Sequence, residues 1–159
     1  MIPYWRLSGY YFFYFALVGA FPPYFGLYLQ SIRQSAAQIG ILMSLMSVMR
    51  MVAPTLWGWL ADRMGVCTPI VRLSALLSML GFAGFLVTDV YAWLFVSMAF
   101  LAFFWSAALP LVETLGFAHL NGRAGRYGNI RVWGSVGVIL AVLGLGYLLD
   151  GLPVRALLW

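Results

Sequence analysis

Three ionisable side chains lie well inside long apolar segments of this chain, namely Arg50, Glu113 and Arg131. A charge in the hydrocarbon of a bilayer costs on the order of a few kcal/mol or more, so each is a candidate for binding a polar solute. The guanidinium of Arg50 matches a carboxylate in a two-point hydrogen-bonded pair, which favours capture of an anionic substrate group. A structural ion pair with a carboxylate on a neighbouring helix is the alternative.

Glu113 and Arg131 are predicted to lie at similar depths on consecutive antiparallel helices. Glu113 precedes the polar break at His119–Gly128, and Arg131 follows that break by three residues. An unpaired charge at this depth would be costly, so an ion pair between the two is expected. The pair would be either a switch for which the substrate competes or a permanent clamp between helices.

Two aromatic residues are candidates for contact with the body of a substrate. Trp105 lies in the middle of an apolar segment, where its ring could stack on an aromatic solute, face lipid or pack in the core. Tyr14 shares a helical face with Tyr10, and phenol hydroxyls need hydrogen-bond partners when they are buried. We predict that Trp105 and Tyr14 line a substrate site, with packing as the alternative.

The segment Gly58–Gly65 places an Asp–Arg pair between two apolar runs. Only 8% of the chain is charged, so this pair is unlikely to be incidental, and we predict that the segment forms a short charged hairpin. A carboxylate at a helix end can accept hydrogen bonds from backbone N–H groups or an arginine and so brace two helices. A structural or gating role is therefore expected for Gly58, Asp62, Arg63 and Gly65.

The composition is that of a membrane protein. The 159 residues are 64% hydrophobic with a mean hydropathy of +0.96, whereas about a quarter of the residues in a soluble domain are charged. Because a spanning helix needs about 20 apolar residues, we predict an all-α membrane protein with five complete transmembrane helices and the start of a sixth. The predicted spans are 7–29, 39–60, 69–87, 91–118, 129–149 and the partial 154–159.

The arginines indicate an orientation with the N-terminus in the cytoplasm. Six of the nine basic residues then lie at or near cytoplasmic ends, as the positive-inside rule requires. These six are Arg6, Arg63, Arg72, Arg123, Arg126 and Arg131. Their dispersal argues against a nucleic-acid surface. Five tryptophans near predicted span ends are expected at the membrane interface, where their amphipathic rings are favoured. They are Trp5, Trp57, Trp59, Trp93 and Trp133.

Several chemistries are excluded by residues that the chain lacks. One His and one Cys cannot form a zinc site. The absence of lysine removes a Gly-rich phosphate loop followed by Lys, and with it ATP-driven transport by this chain. No nucleophile–base pair stands out, so neither an enzyme nor a cofactor or metal is expected.

Three stretches resemble one family, in the same order and with the same spacing. Phe13–Pro23 resembles the first helix of the lactose permease and phenylpropionate permease branches of the major facilitator superfamily. Met49–Arg63 looks like the phenylpropionate permease side, and Tyr127–Gly137 resembles the start of the fifth helix in both branches. The resemblance implies a secondary transporter of the bacterial inner membrane, working by alternating access between two six-helix halves and coupled to protons.

The resemblance also implies roles for individual residues. The Gly58–Gly65 segment, with Asp62, would belong to the gating loop of the superfamily. Glu113 and Arg131, eighteen residues apart, match the charged pair that contacts substrate in lactose permease. Val138 stands where a sugar permease would offer a tryptophan platform, which disfavours a sugar.

With Arg50 present, an aromatic carboxylate such as a phenylpropionate-like acid becomes the expected substrate. The alternatives are a fragment of a sugar or nucleoside permease, and a short membrane interaction protein without transport activity. The resemblance covers the N-terminal half of the family's fold. The expected partners are therefore a small solute, protons, the bilayer, and either a C-terminal six-helix half or a second copy of the chain.

Overall fold

Five long α-helices make up the chain in a computed structural model that describes residues 4–120 and 124–152. All five are long and apolar enough to cross a bilayer, which confirms the predicted all-α membrane architecture. The helices are α1 (Tyr4–Ser31), α2 (Ala36–Met64), α3 (Thr68–Ala83, continued by a 3-10 turn at Gly84–Leu86), α4 (Tyr91–Leu120) and α5 (Ala124–Gly151). The predicted start of a sixth span at 154–159 lies outside the described residues.

The two ends of α2 show why this helix begins and stops where it does. Ser35 is its N-cap, and a capping box joins the Ser35 side chain to the backbone of Gln38 and the Gln38 side chain to the backbone of Ser35. At the other end Gly65 adopts a left-handed conformation with φ of 64°. A residue without Cβ reaches this conformation without strain, so Gly65 terminates the helix.

The predicted charged hairpin at Gly58–Gly65 is wrong in its conformation. The backbone remains helical through Met64, and the turn between α2 and α3 begins only at Gly65. Asp62 and Arg63 thus belong to the last turns of α2. The Arg63 guanidinium carbon lies 5.4 Å from the ring centroid of Trp59, four residues earlier. This cation–π contact at helical spacing supports the continued helix.

The chain divides into two compact units. The first contains α1, α5 and the end of α4 from Gly116, and the second contains α2, α3 and α4 as far as Leu115. In the first unit α1 and α5 pack at van der Waals distance through glycines. A Cβ on Gly137 would strike the carbonyl oxygen of Phe12, and one on Gly19 would lie 3.0 Å from the carbonyl oxygen of Val138. Small residues allow this approach where lipid provides no hydrophobic drive.

Hydrogen bonds also join α1 to α5. The Tyr24 hydroxyl donates to the carbonyl of Val142 at 2.8 Å. This carbonyl is reachable because Gly146, one turn later, has no side chain; a Cβ there would lie 3.0 Å from the Tyr24 hydroxyl. Nearer the N-terminus of α1, the hydroxyls of Tyr11 and Tyr127 are 3.5 Å apart. Polar contacts therefore fix the register of two otherwise apolar helices.

The second unit has its core where α2, α3 and α4 meet. Six buried residues form this cluster: Ala53, Trp57, Ala61, Ile70, Ala107 and Leu111. Further along α3, a Cβ on Gly81 would lie 2.8 Å from the backbone nitrogen of Leu101 in α4. The indole of Trp93 donates to the Gly84 carbonyl at 2.8 Å, which closes the connection from α3 to α4. Close contacts thus hold α3 and α4 together.

Candidate functional site

Arg50 is the central residue of α2. It lies 14 residues from Ala36 and 14 from Met64 (50 − 36 and 64 − 50), or about 21 Å from either end at about 1.5 Å per residue. Such a depth is too great for the side chain to reach an interface easily. The structure therefore places this guanidinium in the middle of a membrane span.

Arg50 also falls on the inward-facing stripe of α2. The buried residues of this helix recur at helical spacing on one face: Leu42, Met46, Ala53, Trp57 and Ala61. Arg50 lies four residues after Met46 and three before Ala53, and so within that stripe, yet its side chain is exposed. The inward face of α2 is therefore open at the level of Arg50.

No residue of its own unit neutralises Arg50. Within residues 32–115 no carboxylate forms an ion pair with the guanidinium, and no acceptor is hydrogen-bonded to it. Its neighbours along the stripe are apolar, with Met46 on one side and Ala53 and Trp57 on the other. A guanidinium presents five hydrogen-bond donors and no acceptor. The arrangement is suited to an anionic group attached to an apolar body.

Glu113 lies on α4 and is half-buried. Seven residues earlier on the same face stands Ser106, whose hydroxyl donates to the Ala102 carbonyl at 2.6 Å. Pro110 has no N–H, so the Ser106 carbonyl lacks its usual helical donor. Glu113 and this carbonyl thus form a polar line along an otherwise apolar helix.

Arg131 lies in the first unit, on α5, and its side chain is exposed. It follows Ile130, which is buried in that unit. Because Glu113 belongs to the second unit and Arg131 to the first, their predicted ion pair stays a prediction.

Trp105 is 6% exposed. Its indole is therefore not lipid-facing, one of the alternatives for this residue, and packing or a buried site remains. Tyr14, on α1, is half-buried. Its ring stacks on that of Tyr10 with centroids 5.9 Å apart and meets Phe15 edge-on at 5.5 Å.

The four residues predicted to form a gating loop all lie at the end of α2. Asp62, Arg63 and Gly65 are exposed, and Gly58 is half-buried. A Cβ on Gly58 would have no atom within 4 Å. This end of α2 therefore offers a surface that the chain itself does not cover. No site for a metal is added to it, since the described residues contain no group of three or more His, Cys, Asp or Glu that could hold an ion.

The prediction that Trp57 lies at the membrane interface is wrong. Trp57 is 8% exposed, and its indole nitrogen donates to the carbonyl of Phe103 at 3.2 Å. Its ring also contacts Phe103 and Phe104, with centroids 5.3 and 5.5 Å away. The signal that could have identified it as core was its spacing from Ala53 and Ala61, four residues to either side.

A family model, the MFS_1 like family, matches residues 4–159. The maltose permease of Geobacillus stearothermophilus is 35% identical over 142 residues, which cover 89% of this chain and 36% of the permease. The "Probable 3-phenylpropionic acid transporter" of Escherichia coli (strain K12) is 29% identical over 157 residues, or 97% of this chain and 40% of that protein. The chain thus spans well under half the length of the curated relatives it matches.

A solved structure supports the same fold. The crystal structure of the nucleoside transporter NupG superposes with a TM-score of 0.81 at 20% sequence identity, over 89% of this chain and 36% of that one. At this identity the likeness concerns the fold alone.

Proposed function

Because this chain belongs to the MFS_1 like family, a family of transporters and not of enzymes, we propose that it forms the N-terminal half of a secondary transporter. In this proposal the complete protein carries a small amphipathic solute across the bacterial inner membrane by alternating access, with protons as the coupling ion. The N-terminus lies in the cytoplasm, as the arginine distribution favours. The remaining half of the transport path comes from a C-terminal six-helix half or from a second copy of the chain.

The observation that carries this proposal is the position of Arg50. It is exposed on the inward stripe of α2, at the middle of the helix, and its own unit provides no counter-charge. A charge at this depth persists where it faces a wet cavity or a charged ligand. We assign Arg50 to capture of the substrate's carboxylate through paired hydrogen bonds.

The apolar surroundings of Arg50 favour an aromatic carboxylate as substrate. Met46, Ala53 and Trp57 flank it along the helix and offer no second polar group for a sugar hydroxyl. On α5, Val138 packs against Gly19 of α1, at 3.0 to 3.2 Å from where a Cβ would stand. A tryptophan at position 138 would have to displace α1, which weakens a sugar platform there. The name of the E. coli relative agrees with this substrate class.

The other candidate residues complete the proposed site. Glu113 and Arg131 contact the substrate as a charged pair that opens and closes during transport. Trp105 and Tyr14 line the site and contact the substrate's apolar body. Gly58, Asp62, Arg63 and Gly65 work as the gating segment, against surface from outside this chain.

Transport of a sugar is the second candidate function. The maltose permease shares 35% identity with the chain, and a sugar would need several hydrogen-bonding side chains around the site. A membrane interaction protein without transport activity would take up neither class of solute.

Uptake measurements distinguish these possibilities. The complete reading frame to which these residues belong is expressed in cells, and uptake of labelled 3-phenylpropionate, its neutral amide and maltose is measured at several external pH values. We expect uptake of the acid, faster at low external pH, and little uptake of the amide or of maltose. Equal uptake of acid and amide would contradict carboxylate capture, and uptake of maltose alone would establish the second function.

A matched pair of variants assigns the effect to Arg50. Arg50→Gln is expected to lower uptake of the acid by a factor of about 10 or more, since charge-assisted hydrogen bonds are lost. Arg72→Gln removes the same charge from an exposed position on α3 and is expected to leave uptake near its original level. Equal loss in both variants would point to a general effect of charge and contradict the role of Arg50.

A further inference from the structure

Tyr10 and Tyr14 form a stacked pair on α1. Their ring centroids are 5.9 Å apart and their planes differ by 19°. The two residues are one turn apart, on the face of α1 that also carries Phe21, Phe25 and Tyr28. The opposite face of α1, with Phe12, Phe15 and Gly19, packs against α5. The stacked pair therefore takes no part in joining the two helices.

Burial changes along the face that carries the pair. Phe21, Phe25 and Tyr28 are at most 3% exposed, whereas Tyr10 and Tyr14 are only half-buried. A face that is closed in one half of the helix and partly open in the other borders a cavity or cleft at its open end. Two aromatic rings thus stand side by side at that opening.

The hydroxyl of Tyr10 differs from those of other tyrosines in the same unit. Tyr11 has its hydroxyl 3.5 Å from that of Tyr127, and Tyr24 donates to the Val142 carbonyl at 2.8 Å. Within the described residues the Tyr10 hydroxyl takes part in no hydrogen bond. A phenol inside a membrane span needs a partner, because the surrounding hydrocarbon offers none.

We propose that Tyr10 and Tyr14 form a subsite for the ring of the transported acid, and that the Tyr10 hydroxyl bonds to a hydroxyl group on that ring. This inference rests on the proposed function and names its substrate class more narrowly, as ring-hydroxylated aromatic carboxylates. The ring of the ligand stacks on the tyrosine pair. Tyr10 is thereby a specificity-determining residue, in addition to the anchor at Arg50.

Each part of this subsite has a measurable contribution. An aromatic contact is worth about 0.5–1.5 kcal/mol beyond burial, or a factor of about 2 to 10 in affinity. A neutral hydrogen bond contributes a similar factor of about 2 to 10. Replacing each group separately therefore tests the ring contact and the hydroxyl contact independently.

The test is a competition experiment on the complete transporter. Uptake of labelled 3-phenylpropionate is inhibited with unlabelled 3-(4-hydroxyphenyl)propionate, 3-phenylpropionate or hexanoate, which differ by the hydroxyl and by the ring. The unsubstituted transporter is expected to bind the hydroxylated acid most tightly and hexanoate most weakly. Tyr10→Phe should abolish the preference for the hydroxylated acid, a change of about 2- to 10-fold, and leave 3-phenylpropionate unaffected.

Two further variants complete the design. Tyr14→Leu should weaken both aromatic acids relative to hexanoate by about 2- to 10-fold. Phe13→Leu is the matched control, because Phe13 lies between the two tyrosines in sequence but is 73% exposed. This variant should change neither ratio.

Unchanged ratios in Tyr10→Phe and Tyr14→Leu would overturn the subsite, while uptake of aromatic acids by the unsubstituted protein upheld the proposed function. A uniform fall for all three acids would also overturn it, because that pattern indicates a structural role. Absence of carboxylate uptake by the unsubstituted protein would overturn both proposals.

Discussion

The indole nitrogen of Trp57 donates a hydrogen bond to the backbone carbonyl of Phe103 at 3.2 Å and so joins α2 to α4. Trp57 lies two turns from Arg50 on the same stripe of α2. The orientation of the proposed carboxylate anchor therefore depends on this contact, because rotation of α2 about its axis would break it. Trp57 is a positioning residue for Arg50.

Replacement of Trp57 should separate the hydrogen bond from the packing. Trp57→Phe keeps a ring against Phe103 and Phe104 but loses the donor, so we expect a loss of about 1 kcal/mol. Trp57→Ala also leaves a cavity among Ala53, Ala61 and their neighbours and should cost about 3–5 kcal/mol. Thermal unfolding of the purified protein in detergent measures both. Equal melting temperatures for Trp57→Phe and the unsubstituted protein would contradict the bracing role.

Alanine at the glycines of α5 should destabilise in proportion to what each Cβ meets. Gly137→Ala meets the Phe12 carbonyl oxygen, which belongs to backbone and cannot move alone, so a loss of about 1–3 kcal/mol is expected. Gly134→Ala meets the ring of Phe15 at 2.7 Å, and the ring can turn aside at smaller cost.

Gly144→Ala is the control for these substitutions, because nothing lies within 4 Å of its Cβ. It should be neutral or stabilising by up to about 1 kcal/mol, as alanine favours helix. The three variants are compared by thermal unfolding in the same detergent. A ranking in which Gly144→Ala is the most harmful would contradict the close packing of α1 against α5.

Two glycines at the end of α2 should respond in opposite ways. Gly65→Ala forces a side chain into a left-handed conformation with φ of 64° and should cost about 1–2 kcal/mol. Gly58→Ala lies within the helix with open space around its Cβ, so thermal stability should be kept or raised by up to about 1 kcal/mol.

Transport by Gly58→Ala tests the gating proposal. If Gly58 approaches another helix closely during the cycle, uptake should fall while the melting temperature does not. Full uptake by a stable Gly58→Ala variant would argue against close approach at this position.

Loss of either charge of the proposed pair should weaken substrate binding. Glu113→Gln and Arg131→Ala are each expected to lower the affinity of the complete transporter for its substrate by about tenfold or more, because charge-assisted hydrogen bonds are lost. Equilibrium binding of labelled 3-phenylpropionate to purified protein measures the effect. Retained affinity in both variants would remove these residues from the site.

A charge exchange distinguishes a switch from a clamp. In a permanent clamp, the double variant Glu113→Arg with Arg131→Glu would recover both thermal stability and binding. For a pair that contacts substrate, the exchanged charges should recover stability without binding. Melting temperature and affinity are therefore measured together.

The sequence by itself determined the all-α architecture, the five spans and the depth of the charged residues along them. These properties depend only on the length of apolar runs, because a segment that crosses a bilayer must satisfy its own backbone as a helix. Arg50 could thus be placed in mid-span from its distance to the ends of one apolar run.

Only the tertiary structure decided which way each side chain faces. Trp57 was predicted at the interface and is buried, Arg50 lies on an inward stripe and is nevertheless exposed, and the Gly58–Gly65 segment continues as helix. These helices are apolar all round, so hydropathy carries little information about rotation about the helix axis. That rotation is set by close contacts, such as Gly137 against Phe12 and the Trp57 hydrogen bond to α4. Such contacts are specific to pairs of helices, because lipid is as apolar as the side chains and gives no helix face a general preference for burial.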